Sequence, residues 1–325
     1  MNASSRSLRD YAIIGSFLAL FVVLSLSSDV FLTSRNLLNI LDQSAAVGII
    51  ACGATLVIIA GGFDLSVAAI FAISGVVATK LAGPLGSEVA IVAGVLTGLG
   101  LGVLNGLLVT LGGVHSFIAT LASGIVFRGI ALIITGGLLV SVTEPSFTTI
   151  GRGELAGVKY SVWIFAAFFA LTAFLLTRTT LGRFIYAVGG NAEAARLSGI
   201  RVELVRTATF AISGLGAGIA GVVVASRVAS GQADAGAGLE LTAIAAVVLG
   251  GTSILGGEGA VWRSVVGVLI LAMIGNGFNL LDLDPLYQQI VEGSLILLAV
   301  AADAQSRRAR RLSATRTTSK LRSAQ

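Results

Sequence analysis

Polar side chains that could do chemistry are few in this chain, and most of them interrupt apolar runs. Asp64 follows Gly61-Gly62-Phe63 and precedes Leu65-Ser66-Val67. A carboxylate at membrane depth is a candidate proton or solute site. Standing just ahead of a long apolar run, it is also a candidate N-cap. Asn276 and Asn279 end one apolar run, and Gln288, Gln289 and Glu292 fall within one turn of the next. Carboxamides and a carboxylate can hydrogen-bond the hydroxyls of a polar solute, or tie helices together. Gln288 and Glu292 are four apart and share one helix face. Lipid would penalise that face, so it is expected to point into the bundle or a wet cavity. Asp64, Asn276, Asn279, Gln288 and Glu292 are therefore the candidate translocation-path residues.

Catalytic patterns are missing. His115 and Cys52 are the single histidine and single cysteine, so no His/Cys metal site is expected and no intrachain disulfide is possible. The three lysines, Lys80, Lys159 and Lys320, do not follow glycine, so there is no phosphate-binding loop of the GxxxxGK[ST] type. Residues 216–221 read GAGIAG and match G-x-G-x-x-G, but they lie inside an apolar run with no strand before them. No catalytic residue, metal site or cofactor is assigned to the chain, and it is read as not an enzyme.

The elements that must position these residues are membrane spans. Of 325 residues, 55% are hydrophobic and 11% charged, with a mean hydropathy of +0.97. A soluble domain carries about 25% charged residues. The chain therefore reads as an all-α, polytopic integral membrane protein lodged in a lipid bilayer. A span needs about 20 mostly apolar residues. By that rule about ten transmembrane helices fall near 11–28, 43–61, 64–82, 88–111, 116–136, 160–177, 207–226, 238–254, 262–281 and 285–302. The first is read as an uncleaved span behind Arg6 and Arg9. An even count puts both termini on one side. Seven of the 21 basic residues fall within 307–325, which makes that side the cytoplasm. A net charge of +5 gathered in this way does not indicate nucleic acid. The expected organisation is one transmembrane domain over 1–302 and a basic cytoplasmic tail over 303–325. Gly94, Gly98, Gly102 and Gly106 recur every four residues, a spacing that lets helix backbones pack closely.

One segment departs from the apolar pattern. Residues 178–206 hold five arginines and two glutamates, and the topology puts them in the cytoplasm. Within them Asn191 is a candidate N-cap, and Glu193 lies in the first turn, where negative charge suits the helix dipole. Gly199 suits a left-handed C′ position, with Ile200 packing back on the last turn. A two-turn helix in a polar loop of a membrane protein is expected to meet a partner that supplies force.

Four stretches then carry a resemblance: GGFDLSVAAIFAISG (61–75), NGLLVTLGGVHSFIATLASGIVFRGIALIITGG (105–137), TTLGRFIYAVGGNAEAARLSGIRV (179–202) and SGLGAGIAGVVVASRVASGQADAGAGLELTAIAAVVLGGTSILGGEGAVW (213–262). YQQIVEGSLILLAV (287–300) continues it. The chain resembles permease subunits of the bacterial ribose/xylose/arabinose-type ABC sugar importers over about residues 35–302. That resemblance implies a place in the bacterial cytoplasmic (inner) membrane and a dimer with a second copy or a paralogue. It also implies a cytoplasmic ABC ATPase holding ATP and Mg, and an extracytoplasmic sugar-binding protein. The loop at 178–206 would be the coupling loop, with Asn191, Glu193, Ala195, Arg196 and Gly199 carrying the ATPase contact. Two positions depart from the family pattern: Ala68 stands where glycine follows DLSV, and Val114-His115 replaces Pro-Pro. A different class of function, a stand-alone proton-coupled secondary carrier, would instead use Asp64 and Glu292 as proton sites.

Overall fold

The computed structural model describes residues 3–284 together with 286–288, 290–291, 293–294, 297 and 301. Glu292 and nearly all of the tail at 303–325 lie outside the described residues, as does much of the expected span at 285–302. The helices are α1 (Ala3–Ser27), α2 (Ser34–Ile59), α3 (Val67–Leu85), α4 (Ser87–Thr110), α5 (Ser116–Thr135), α6 (Thr149–Arg152), α7 (Tyr160–Arg178), α8 (Thr180–Gly190), α9 (Ala192–Leu197), α10 (Val202–Val228), α11 (Leu239–Leu249) and α12 (Val261–Leu280). A 3₁₀ turn, Pro145–Thr148, leads into α6. Four two-residue strands also lie among the described residues: β1 (Val140–Ser141), β2 (Glu154–Leu155), β3 (Val158–Lys159) and β4 (Ser230–Gly231).

Seven of these helices are long and apolar enough to cross a membrane: α2, α3, α4, α5, α7, α10 and α12. The chain is a polytopic helical membrane protein. Burial separates the inner helices from the outer ones. The apolar windows of α2, α3 and α10 are 78%, 72% and 67% buried, whereas those of α4, α5 and α7 are 28% buried. The first three form the centre. The others turn side chains such as Ile125, Ile133, Leu171 and Phe174 outward.

The expected span at 238–254 is corrected by the structure. Its helical part, α11, has only 11 residues, about 16 Å at 1.5 Å per residue, half of a hydrocarbon core about 30 Å thick. Hydropathy failed here because the apolar run Leu239–Leu249 was carried on through Gly250-Gly251-Thr252-Ser253-Ile254, where the backbone has already left the helix. At the C-terminal end, Gly251 takes φ 77° and the helix stops. At the N-terminal end, the chain leaves α10 with Ala229 at φ 55° and folds back along α3. A Cβ on Gly231 would strike Thr79 and lie 3.0 Å from Val76 Cα; one on Gly236 would stand 2.7 Å from the Phe71 ring. The strap at 229–238 thus descends beside the middle and lower turns of α3, within the depth of that span.

Irregular backbone at such depth must have its polar groups met inside the protein. β1 does this for the upper strap. It pairs antiparallel with β4, Val140 opposite Gly231 and Ser141 opposite Ser230, and Val142 N donates to Ala229 O at 2.9 Å. β2 and β3 form a separate hairpin whose turn residues Ala156 and Gly157 both have positive φ.

One close-packed seam and two polar ties fix the bundle. Gly94, Gly98, Gly102 and Gly106 line the face of α4 that meets α10. Beta carbons on Gly98 and Gly102 would each lie 2.5 Å from α10 carbonyl oxygens, of Gly214 and Phe210. Asn36 at the start of α2 and Asn276 near the end of α12 exchange side-chain hydrogen bonds of 3.1 and 2.8 Å. Arg227, in the last turn of α10, lies 3.4 Å from Asp42 of α2, which also accepts from the Ser161 hydroxyl of α7.

Candidate functional site

α9 is a short helix closed at both ends. Asn191 ends α8 and caps α9, its Oδ1 accepting from Ala194 N at 3.0 Å. Gly199 adopts φ 84°, Gly199 N donates to Arg196 O, and Ile200 N donates to Ala195 O, both at 3.0 Å. That pair of bonds is the Schellman closure, which the left-handed glycine permits. Ala195 is buried and seats the helix on the bundle core, so it does not face outward. Asn191, Glu193, Arg196 and Gly199 are exposed. Leu197 is exposed to 84% and is an apolar knob that sequence reasoning passed over. Arg196 Nη2 holds Glu203 Oε1 at 2.5 Å, tying α9 to the first turn of α10.

Beside α9 opens a recess of about 440 Å³, bordered among others by Gly61, Gly62, His115, Arg196, Glu203 and Arg206. A second cavity, of about 220 Å³, lies toward the other end of the bundle between α2, α11 and α12. Asn276, Asn279 and Gln288 line it together, although they were singled out from separate parts of the sequence. Gln43, Ser44 and Thr242 add hydroxyl and amide groups that sequence reasoning did not select. The signal for Gln43 and Ser44 was a polar pair inside the run that begins α2. Thr242 carried no signal, because its place depends on α11 being a half-length helix. Gln288 is pressed against α12: a Cβ on Gly275 would stand 3.0 Å from its amide nitrogen. Among the described residues the lining mixes these hydrogen-bonding groups, none of them formally charged, with apolar ones such as Ile40, Val47, Val268 and Leu271.

Asp64 borders neither recess. It is 3% exposed, in the loop that joins α2 to α3. Its Oδ1 accepts from Ser66 N at 3.1 Å and Ser66 Oγ at 2.5 Å, and its Oδ2 from Ser213 Oγ of α10 at 2.9 Å. Asn105 of α4 donates to Ser66 Oγ at 2.6 Å. The N-cap of α3 is Ser66, not Asp64, because the carboxylate is spent two residues earlier bracing Ser66. Burial pushes the Asp64 carboxyl above its ordinary value, and the hydrogen bonds from Ser66 and Ser213 oppose that shift. The same loop is held to α5, with Phe63 N on Ser116 Oγ and Leu65 N on Thr120 Oγ1, both at 3.0 Å. Among the described residues no cluster of His, Cys, Asp and Glu could hold a metal ion.

Comparison with known proteins agrees with this architecture. Residues 36–300 match the family described as branched-chain amino acid transport system / permease component. The chain is 42% identical over 293 residues to the ribose import permease protein RbsC of Escherichia coli strain K12, covering 89% of this chain and 91% of that one. It is 43% identical over 296 residues to the protein of the same name from Bacillus subtilis strain 168, covering 89% and 92%. The L-arabinose ABC transporter permease protein AraH of Azospirillum brasilense is 40% identical over 296 residues, covering 91% and 87%. No solved structure matches. The bundle of apolar helices fits a membrane permease, and the family match across most of the length establishes that this chain belongs to the branched-chain amino acid transport system / permease component family.

Proposed function

We propose that this chain is the membrane subunit of an ATP-driven ABC importer for a monosaccharide, a pentose, hexose or related polyol. The observation that carries this reading is the end-to-end likeness to permeases named for ribose, L-arabinose and D-allose. The cavity between α2, α11 and α12 supports it, since the amides and hydroxyls among its described residues can hydrogen-bond sugar hydroxyls. In this reading the chain lies in the bacterial cytoplasmic membrane, with both termini and α8–α9 in the cytoplasm. It works as a dimer with a second copy or a paralogue.

ATP and Mg belong to a separate ATPase that docks on the exposed side of α9, through Asn191, Glu193, Arg196 and Gly199 with Leu197 as an apolar knob. An extracytoplasmic binding protein delivers the sugar at the other end. A proton-coupled carrier would need a carboxylate that meets solvent. Asp64 is sealed by Ser66 and Ser213 and favours no such reading. The test is mild-detergent purification of the tagged chain from its native membrane, with mass spectrometry of its companions. An ATPase carrying a phosphate-binding loop and a sugar-binding protein are expected. Absence of any ATPase, even after crosslinking through a cysteine placed in α9, would refute the reading.

A further inference from the structure

α8 runs into α9 through a single shared residue, Asn191, with no linker between the two helices. The end of α8 meets two other segments almost wholly through glycine. A Cβ on Gly189 would collide with the carbonyl of Ile59 at the end of α2 and lie 2.7 Å from Gly257 N. Gly256, at φ 84°, faces back: its Cβ would be 2.9 Å from Gly61 Cα and 3.0 Å from Gly189 O. A Cβ on Gly257, at φ 73°, would lie 2.9 Å from Gly190 Cα. Two hydrogen bonds fasten the joint. Gly257 N donates to Ile59 O at 2.8 Å, and the Tyr186 hydroxyl, one turn before the end of α8, donates to Gly259 O at 2.7 Å.

Backbone here rests on backbone, with no flexible side chain between to absorb a displacement. Close-packed interiors of this kind have low compressibility and pass strain on. Residues 250–260 connect α11 to α12, and those two helices are themselves locked. A Cβ on Gly267 would strike Ala246 O, and one on Gly250 would lie 2.6 Å from Arg263 O. Thr242 of α11 and Asn276 and Asn279 of α12 line the cavity.

We propose that this glycine joint carries a displacement of α8–α9 into the α11–α12 hairpin and so to the cavity, with Tyr186 as its positioning residue. It is a second route from α9, apart from the Arg196–Glu203 tie that leads into α10. The proposal rests on the reading of α9 as the ATPase contact.

The test uses the intact permease–ATPase complex in lipid nanodiscs. An environment-sensitive fluorophore is placed at Arg183→Cys on α8 or at Leu241→Cys on α11; both positions are exposed, whereas Cys52 is buried. A non-hydrolysable ATP analogue with Mg is expected to shift emission at both positions. Adding Tyr186→Phe, which removes one hydroxyl, or Gly256→Ala should leave the response at 183 intact and cut that at 241 at least threefold. If Gly256→Ala does not fold, Tyr186→Phe alone decides. An undiminished response at 241, or an equal loss at both positions, overturns the proposal. So does a parent complex in which 183 responds and 241 does not. Silence at 183 in the parent overturns the ATPase-contact reading itself, and the proposal with it.

Discussion

Gly98→Ala probes a contact of helix backbone on helix backbone, that of α4 with α10. The new Cβ would stand 2.5 Å from Gly214 O, 2.6 Å from Gly218 Cα and 2.9 Å from Gly218 N. Ordinary van der Waals contact begins at 3.4 Å, so α4 and α10 must part by close to an ångström. The neighbours are backbone atoms of a central helix and have no rotamer to escape into. Overpacking of this kind costs about 1–3 kcal/mol, and the rigid partner puts Gly98→Ala at the upper end. Gly100→Ala is the internal control. It lies on the same helix with nothing within 4 Å of its Cβ, and it should stabilise α4 by up to about 1 kcal/mol through helix propensity. Thermal unfolding of the two variants in one detergent, followed by fluorescence-detected size exclusion, measures the difference. Gly98→Ala should melt several degrees below the parent and Gly100→Ala at or above it. Equal midpoints would refute the claim that close backbone approach, not glycine as such, shapes this seam.

Asn36→Leu alone should cost about 1–3 kcal/mol by leaving the Asn276 amide unpaired, while Asn36→Leu with Asn276→Leu should recover most of it; a double-mutant cycle in the same melting assay reads the coupling. Asp64→Ala strands the Ser66 and Ser213 donors and should cost about 1–3 kcal/mol, seen as a lower midpoint whether or not sugar is present. Asn191→Ala removes the α9 cap and should weaken that helix by about 1 kcal/mol, read as faster amide exchange over 192–199 with no change at α3. Gly199→Val meets open space but a φ of 84° that a β-branched residue resists; the variant should reach the membrane at parental levels yet take up sugar several-fold more slowly per ATP hydrolysed. Parental uptake per ATP would remove α9 from the coupling role.

Features written in local sequence could be read directly. The capped α9 follows from Asn191, Glu193 and Gly199, because caps depend on residues within a turn of one another. The four-residue glycine spacing of α4 was likewise visible. Its partner surface on α10 was not, since helix pairing is set by the whole bundle. Composition indicated membrane spans and still misjudged 238–254, because hydropathy measures what a segment is made of and not the depth at which its backbone turns. Asp64 shows a further limit. Its position before an apolar run suggested either a cap or a path residue. Its partner Ser213 lies 149 positions away, so only the folded chain reveals a brace that holds the α2–α3 loop against α10.

The pairing of β1 with β4 changes what the segment between α5 and α7 is for. By sequence, residues 136–159 are a polar connection, the kind of place chosen for an epitope tag, a protease site or a shortened loop. Yet Val140, Ser141 and Val142 supply the strap beside α3 with its backbone partners. The connection is therefore divided into two parts of unlike tolerance. The β2–β3 tip at Ala156 and Gly157 stands free and can take an insertion. Three residues near the start of the same connection cannot be moved without leaving backbone groups of the strap beside α3 unpaired.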